Sequence, residues 1–122
     1  MAKKILIADD EQNIVISLEF LMKREGFEVL VANDGEEAAR RIRSEQPDLV
    51  LLDVMMPKKT GFEVCQEIKA DPAMAAVRIL MLTAKGRDTE VAKGLALGAD
   101  AYMTKPFSTK ELVEKVRSLL GA

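Results

Sequence analysis

Residues 49–52 read Leu-Val-Leu-Leu, an uninterrupted apolar run that ends in a carboxylate at Asp53. A run this short, followed directly by a polar residue, is typical of a strand that is buried on both faces. Four more short apolar segments also lead into polar residues; they are residues 4–8, 27–32, 79–82 and 101–104. The sequence therefore predicts five strands. The polar residues that follow four of them are Asp9 with Asp10, Asp53, Thr83 and Lys105.

The segments between these strands have the apolar period of helices. The first is predicted at about 12–25, where the apolar stripe consists of Ile14, Leu18, Leu21 and Met22. The second and fourth are predicted at about 35–45 and 88–97. Two Ser/Thr-x-x-Glu motifs predict the starts of the third and fifth helices; they are Thr60 with Glu63 and Ser108 with Glu111.

The alternation of strands and helices predicts an α/β protein with an open, five-stranded parallel sheet and five helices that cover both faces. Its weakest element is predicted to be the fourth helix. Gly94 lies inside this helix, where glycine costs about 1 kcal/mol relative to alanine.

Composition excludes several classes of protein. The 122 residues fit one domain, 1–122, and a net charge of −2 without a basic run argues against direct binding of nucleic acid. There is no histidine, so any phosphohistidine in the chemistry of this protein must belong to a partner. There is only one cysteine, Cys65. No apolar run approaches the roughly 20 residues of a membrane helix. We therefore expect a protein of the reducing cytoplasm that does not contact the membrane.

The polar set predicts a cation site. Ligands of open α/β sheets bind outside the carboxyl ends of the strands, where Asp9, Asp10 and Asp53 are expected. Three carboxylates repel one another unless a cation binds between them. Oxygen ligands without His or Cys select a hard ion, so Mg²⁺ is expected, with Mn²⁺ as a substitute. Lys105 adds a positive charge suited to a phosphoryl oxygen.

Each of these residues, taken alone, has a simpler interpretation. An acid after a strand, such as Asp10, often caps the following helix. A lysine near acids, such as Lys105, is more often a simple ion pair, and Thr83 would most often be a strand-end or capping hydroxyl. The functional interpretation depends on their convergence from four separate strand ends.

Four motifs resemble those of receiver domains of two-component response regulators, over the full length of the chain. They are Ile-Leu-Ile-Ala-Asp-Asp-Glu at 5–11, Leu-Leu-Asp-Val-Met-Met-Pro at 51–57 followed by Gly61, Leu-Thr-Ala at 82–84, and Tyr-Met-Thr-Lys-Pro-Phe at 102–107. The resemblance implies the flavodoxin-like strand order 2-1-3-4-5. It also implies a signalling protein rather than an enzyme, which assists its own phosphorylation and slow dephosphorylation.

The resemblance implies roles for the site residues. Asp53 would accept the phosphoryl group. Asp10 and Asp53 would bind Mg²⁺ together with the backbone carbonyl of Met55, and Asp9 would act through a metal-bound water. Thr83 and Lys105 would hold phosphoryl oxygens.

Two further expectations concern switching and phosphoryl lifetime. Tyr102 occupies the switch-aromatic position and would respond to movement of Thr83, although it also fits an edge-strand ring half buried against helix five. Met55 and Lys85 lie where similar receivers tune the approach of the hydrolytic water, and neither is an amide or an acid. We therefore expect slow dephosphorylation.

The implied partners are a sensor histidine kinase or histidine phosphotransfer protein upstream, and an unknown downstream protein or a missing effector domain. The output would pass through helix four, strand five and helix five. Here Val91 is apolar where a basic residue is common in receivers attached to winged-helix domains, and Ala101 replaces an acid. Only Glu111 and Lys115 keep plausible charge partners, so we expect a monomer or a weak dimer.

Three rival interpretations are disfavoured. A haloacid-dehalogenase-type phosphatase carries a second acid where this chain has Met55. A flavodoxin-like electron carrier needs a phosphate loop rich in hydroxyls and glycine, whereas residues 9–13 read Asp-Asp-Glu-Gln-Asn. A receiver that has lost phosphorylation would lack part of the polar set, and none of that set is missing.

Overall fold

The computed structural model of the chain describes residues 2–84 and 88–121. Its five strands are all parallel and form one sheet in the order β2-β1-β3-β4-β5, which confirms the predicted fold class and the strand order that the resemblance implied. The strands are β1 Lys4–Ala8, β2 Glu28–Ala32, β3 Leu49–Asp53, β4 Arg78–Ala84 and β5 Ala101–Lys105. The strand order reverses at β1 and β3. The carboxyl ends of these two strands therefore flank a crevice of the kind in which such sheets bind ligands.

Five α-helices connect and cover the strands. They are α1 Gln12–Arg24, α2 Gly35–Glu45, α3 Gly61–Ala70, α4 Asp88–Ala96 and α5 Thr109–Leu120. The capping box predicted at Thr60 and Glu63 is present, and the Ser108 side chain accepts a hydrogen bond from the backbone N–H of Glu111. A short 3₁₀ helix, Pro72–Met74, was not predicted from the sequence.

Two apolar layers hold the helices on the sheet. Side chains of α1 and α5 pack on one face, and side chains of α2 and α3, with Leu97 and Ala99 just after α4, pack on the other. All five residues of β3 are buried, as expected for a central strand that is covered on both faces. Within the described ranges, no helix is long and apolar enough to cross a membrane.

The buried stripe of α1 differs by one residue from the prediction. It consists of Val15, Leu18, Leu21 and Met22, whereas Ile14 is only half buried at the margin of the same layer. Val15 precedes Leu18 by three residues and Ile14 precedes it by four, and both spacings lie on one helix face. Spacing alone therefore did not distinguish the two positions.

Candidate functional site

The strand ends bring the predicted acids together. Asp9 and Asp10 directly follow β1, and Asp53 is the last residue of β3. Each of the three offers a carboxylate oxygen, and these oxygens all lie within 4.8 Å of one another. Asp9 and Asp53 are buried, whereas Asp10 is exposed. The arrangement provides a cluster of oxygen ligands with one side open to solvent, which fits a hard divalent cation that keeps part of its water shell.

Lys105 reaches into this cluster from the end of β5. Its Nζ donates hydrogen bonds to Asp9 Oδ2 at 3.0 Å and to Asp53 Oδ1 at 3.1 Å. Burial lowers the pKa of Lys105, but the neighbouring Asp53 and Asp9 carboxylates raise it by more, so the ammonium stays charged. Lys105 therefore bridges two of the three acids.

Asp9 is the most constrained of the acids. It is fully buried, and each of its oxygens already accepts a hydrogen bond. Oδ1 accepts from the backbone N–H of Glu11 at 2.9 Å, and Oδ2 accepts from Lys105. Asp9 is thus fixed in place by the chain itself and in turn holds the Lys105 ammonium at the crevice.

Asp53 is held in an unfavourable environment. Burial, together with repulsion from Asp9, raises the pKa of its carboxyl from 3.8 to about 6, although Lys105 opposes the shift. The sequence predicted this conflict, because an ionised acid at the end of an apolar strand needs a positive partner. The carboxylate is ionised at neutral pH but is incompletely neutralised by protein groups, so a bound cation would relieve it.

Thr83 supplies a buried hydroxyl beside the acids. In the β3–β4 pairing Asp53 is aligned with Leu82, so Thr83 lies one residue further along β4. Its side chain is 1% exposed, and its Oγ1 lacks a hydrogen-bond partner among the residues that the structure describes. Because an unpaired buried hydroxyl costs about 1–3 kcal/mol, its retention here is consistent with a bond made to a ligand.

Tyr102 lies at the sheet edge, with its side chain 43% exposed. It is aligned with Met81 in the β4–β5 pairing, and Thr83 is two residues beyond Met81. Side chains alternate along a strand, so Tyr102 and Thr83 point to the same face of the sheet. A surface groove beside Tyr102 is also lined by Leu95 of α4 and by Glu111 and Lys115 of α5.

The loop of residues 54–60 links β3 to α3 and carries the backbone of Met55. The Met55 side chain is 65% exposed, whereas Met56 is buried. Lys58 has a left-handed backbone, with φ of 71°, and the Lys105–Pro106 peptide is cis. Lys85, expected to act with Met55, lies outside the described residues. The contact of this loop with α2 at Gly35 was not predicted from the sequence. Only the Asp34-Gly35 pair, a common turn sequence, pointed to a special backbone there.

Comparisons with known proteins agree with this geometry. The family model described as "Response regulator receiver domain" matches residues 5–117. A curated relative, the "Alkaline phosphatase synthesis transcriptional regulatory protein PhoP" of Bacillus subtilis (strain 168), is 48% identical over 120 residues, which are 98% of this chain and 49% of the relative. The chain thus spans about half the length of that relative.

Solved structures give the same result. A putative response regulator from Chloroflexus aurantiacus J-10-fl has a TM-score of 0.95 and 34% identity, with 100% of both chains covered. The receiver domain of the sensor histidine kinase PA1611 from Pseudomonas aeruginosa PAO1 has a TM-score of 0.91 and 26% identity, again with 100% of both chains covered. The latter structure is described as having a magnesium ion coordinated in its active site cleft.

Receiver domains of this family are signalling phosphoacceptors of two-component systems. They bind Mg²⁺ in an acidic pocket, and a histidine kinase phosphorylates them on an aspartate. The complete match of fold and motifs, and a family model that spans residues 5–117, place this chain in the response regulator receiver domain family.

Proposed function

We propose that Asp53 is the residue of this chain that accepts the phosphoryl group. The observation that carries the proposal is that Asp53 lies 3.1 Å from the Lys105 Nζ and clusters with the carboxylates of Asp9 and Asp10. A nucleophilic carboxylate, a cation site and a fixed ammonium thus meet at one strand end. These are the parts that phosphoryl transfer requires.

Asp10 and Asp53, with the backbone carbonyl of Met55, are proposed to bind Mg²⁺, and Mn²⁺ is proposed to replace it. When bound, the ion neutralises charge on the transferring phosphoryl group. Asp9 is proposed to act through water, because its oxygens already accept bonds from Glu11 and Lys105. The exposed Asp10 carboxylate remains open to direct coordination.

The chain's own residues then perform the transfer. A carboxylate oxygen of Asp53 attacks phosphorus on the partner's phosphohistidine, so a P–O bond forms while the P–N bond breaks and its electron pair returns to the imidazole. Lys105 moves its Nζ hydrogen bond from Asp53 to a phosphoryl oxygen. The unpaired hydroxyl of Thr83 donates to a second phosphoryl oxygen.

The same hydroxyl is proposed to start the switch. Phosphorylation adds about two negative charges to the site. Movement of Thr83 toward them opens space on the sheet face that it shares with Tyr102, and the exposed Tyr102 ring turns inward. The altered surface comprises α4, β5 and α5.

We also propose that the acyl phosphate is long-lived. Met55 lies two residues after Asp53, has an exposed thioether chain and offers no group that would orient a hydrolytic water. Replacing Met55 with Asn and Lys85 with Glu is therefore expected to shorten the half-life of phosphorylated protein. An unchanged or longer half-life would contradict the shielding role.

The ion pairs of the α4, β5 and α5 surface indicate how the chain meets its output partner. Asp100 is already bonded to Lys69 at 2.8 Å and to the backbone N–H of Ile79 at 2.7 Å, so it is not free to pair with a second copy. Glu111 and Lys115 remain as charge partners, and exposed pairs contribute at most about 1 kcal/mol each. We propose a monomer or weak dimer that binds another protein through Tyr102 and α4.

A second candidate output follows from the relative of 48% identity, whose name describes a transcriptional regulatory protein. In that case the chain would be the receiver of a longer regulator and would form a dimer through α4, β5 and α5. Sedimentation of the beryllofluoride-treated chain at tens of micromolar distinguishes the two. A tight dimer that is dispersed by changing Glu111 and Lys115 would support the second candidate.

The phosphoacceptor itself is tested by labelling. The chain is incubated with Mg²⁺ and acetyl phosphate and analysed by intact mass and on a phosphate-affinity gel. We expect one phosphoryl group on the wild type and on the control Asp71→Asn, and none on Asp53→Asn. Undiminished labelling of Asp53→Asn would overturn the assignment.

A further inference from the structure

We propose that Gly35, at the start of α2, is a positioning residue for metal binding. The absence of a side chain at Gly35 sets the path of the loop of residues 54–60 and thereby the position of the Met55 carbonyl. This inference rests on the proposed function, in which that carbonyl is a ligand of Mg²⁺. It adds a residue of α2, an element from which the proposed site takes no ligand.

The loop lies directly against the backbone of Gly35. A Cβ at this position would overlap the carbonyl oxygen of Lys59 and would lie 2.6 Å from its carbonyl carbon and 2.7 Å from its Cβ. Distances under 3.0 Å are essentially never observed for a real Cβ, so any side chain requires one element to move. The Gly35 N–H also donates to the carbonyl of Pro57 at 3.2 Å.

The helix is the less movable partner. Three residues of its first two turns, Ala38, Ala39 and Ile42, are buried under the sheet. Its N-terminus is capped by Asp34, whose Oδ1 accepts from the N–H of Glu37 at 2.7 Å. Moving α2 would open the core and break the cap, so a side chain at Gly35 displaces the loop instead.

The loop cannot absorb this displacement at its ends. Its base is closed by the hydrogen bond from Gly61 N–H to the Val54 carbonyl at 2.8 Å, and its last residue is held in the α3 capping box. The Pro57 carbonyl accepts a second bond from Lys59 N–H at 2.8 Å, which couples the Lys59 contact to Pro57. A shift at Lys59 is therefore transmitted through Pro57 and Met56 to the Met55 carbonyl.

A small movement is sufficient to affect metal binding. Mg²⁺ requires near-octahedral geometry with ligand distances of about 2.0–2.1 Å. Groups that hold metal ligands in place typically change affinity about 10- to 100-fold when they are altered. We therefore expect Gly35→Ala to raise the dissociation constant of Mg²⁺ at least about tenfold.

The experiment measures Mg²⁺ affinity apart from folding. The urea midpoints of the wild type, Gly35→Ala, Gly94→Ala and Asp10→Asn are recorded over a range of Mg²⁺ concentrations. The dissociation constant follows from the Mg²⁺-dependent part of stability, which a purely structural loss does not change. Gly94→Ala is the matched control, because a Cβ at Gly94 would lie at an ordinary distance of 3.5 Å from its nearest atom. The Mg²⁺ affinity of this variant is expected to match that of the wild type.

The outcomes separate this inference from the proposed function. The inference is supported by two results together. Mg²⁺ stabilises the wild type but not Asp10→Asn, and the affinity for Mg²⁺ falls in Gly35→Ala but not in Gly94→Ala. Equal affinity in the wild type and Gly35→Ala overturns the inference alone. No Mg²⁺ effect on the wild type overturns the proposed metal site, and the inference with it.

A second variant covers the case in which Gly35→Ala does not fold. Pro57→Gly removes an exposed ring without opening a cavity and loosens the segment that Gly35 holds. Mg²⁺ affinity is expected to fall about two- to fivefold, the range typical of losing one proline's restriction. An unchanged affinity would show that the held loop does not position a ligand, and would overturn the inference.

Discussion

At the scale of single residues, the site holds buried polar groups whose charges and hydrogen bonds are only partly satisfied by the protein. Asp53 is buried beside Asp9, and the Lys105 ammonium is shared between these two carboxylates. Thr83 keeps a buried hydroxyl that is unpaired within the described residues. The sequence predicted which residues meet here but not their hydrogen bonds, because those depend on side-chain positions that no spacing encodes.

The first prediction concerns the pH dependence of stability. The folded chain raises the pKa of Asp53 from 3.8 to about 6, so it binds this proton more tightly than the unfolded chain does. Ionisation of Asp53 therefore destabilises the metal-free protein progressively as the pH rises from about 4 to about 6. Asn cannot ionise, so Asp53→Asn should be more stable than the wild type at pH 7, by at most about 3 kcal/mol.

Urea unfolding in EDTA between pH 4 and pH 7.5 measures this difference. It should shrink toward zero near pH 4, where the wild-type carboxyl is protonated as well. Saturating Mg²⁺ at pH 7 should reverse the order, because the wild type gains a ligand that the variant lacks. A stability difference that is independent of pH would contradict the raised pKa.

The second prediction concerns Lys58, whose φ of 71° lies in the left-handed region. This conformation costs a residue with a Cβ about 1–2 kcal/mol, and glycine avoids that cost. Glycine loses more backbone entropy on folding, which offsets part of the gain. Lys58→Gly should therefore stabilise the chain by about 0.5–1 kcal/mol. The Lys58–Asp34 ion pair, at 3.7 Å and with its lysine 59% exposed, should contribute little.

The adjacent lysine provides the control. Lys59 is not among the residues with positive φ, and its Nζ donates to Glu67 at 2.7 Å. Lys59→Gly should destabilise the chain in the same urea assay. Equal effects of the two substitutions would contradict the account from backbone strain.

At the scale of secondary-structure elements, most of the fold was predictable. The predicted bounds of α1, α2 and α4 agree with the structure to within one residue, because caps, glycines and apolar periods mark their ends. The path of residues 54–60 against Gly35 was not predictable. It depends on how α2 and α3 pack over the sheet, which is a tertiary contact between segments far apart in sequence.

The third prediction uses the glycine that the sequence identified as the weak point of α4. A Cβ at Gly94 would lie 3.5 Å from Met81 Cγ and 3.7 Å from Phe62 Cε1, both ordinary packing distances. No close approach requires glycine there, so Gly94→Ala should raise the free energy of unfolding by about 1 kcal/mol. Gly98→Ala is the contrasting control, since its φ of 105° and a contact of 3.0 Å with Lys69 Cγ should make it destabilising. The prediction is wrong if Gly94→Ala is neutral or less stable.

At the scale of the whole molecule, the site follows from topology. Parallel strands deliver their carboxyl ends to one edge, so residues as distant in sequence as Asp9 and Lys105 come within 3.0 Å. This is why short motifs were sufficient to predict the constellation. What the sequence did not show is the surface around the crevice, because exposure depends on the final packing of every helix.

That surface includes exposed apolar side chains. The three most exposed large apolar side chains in the described part of the chain are Ile16, Phe20 and Met55, which are 62%, 68% and 65% exposed. Ile16 and Phe20 lie one turn apart on α1, the helix that begins just after the acids. Asp53 is the proposed phosphoacceptor, and α1 begins two residues after Asp10. We therefore expect a kinase or phosphotransfer protein that delivers a phosphoryl group to Asp53 to cover Ile16 and Phe20.

The last prediction tests this surface with two phosphodonors. The assay uses a histidine kinase that phosphorylates the wild type. Combining Ile16→Ala with Phe20→Ala should lower kcat/KM for transfer from this kinase about tenfold or more, as expected when apolar anchor residues are removed from an interface. Labelling by acetyl phosphate should not change, because neither side chain lies among the acids or beside Lys105. Leu95→Ala, which truncates an exposed apolar side chain in the groove beside Tyr102, should leave both rates unchanged. Equal losses with both donors would mean that the substitutions damage the site itself, and no loss with the kinase would mean that the donor approaches by another route.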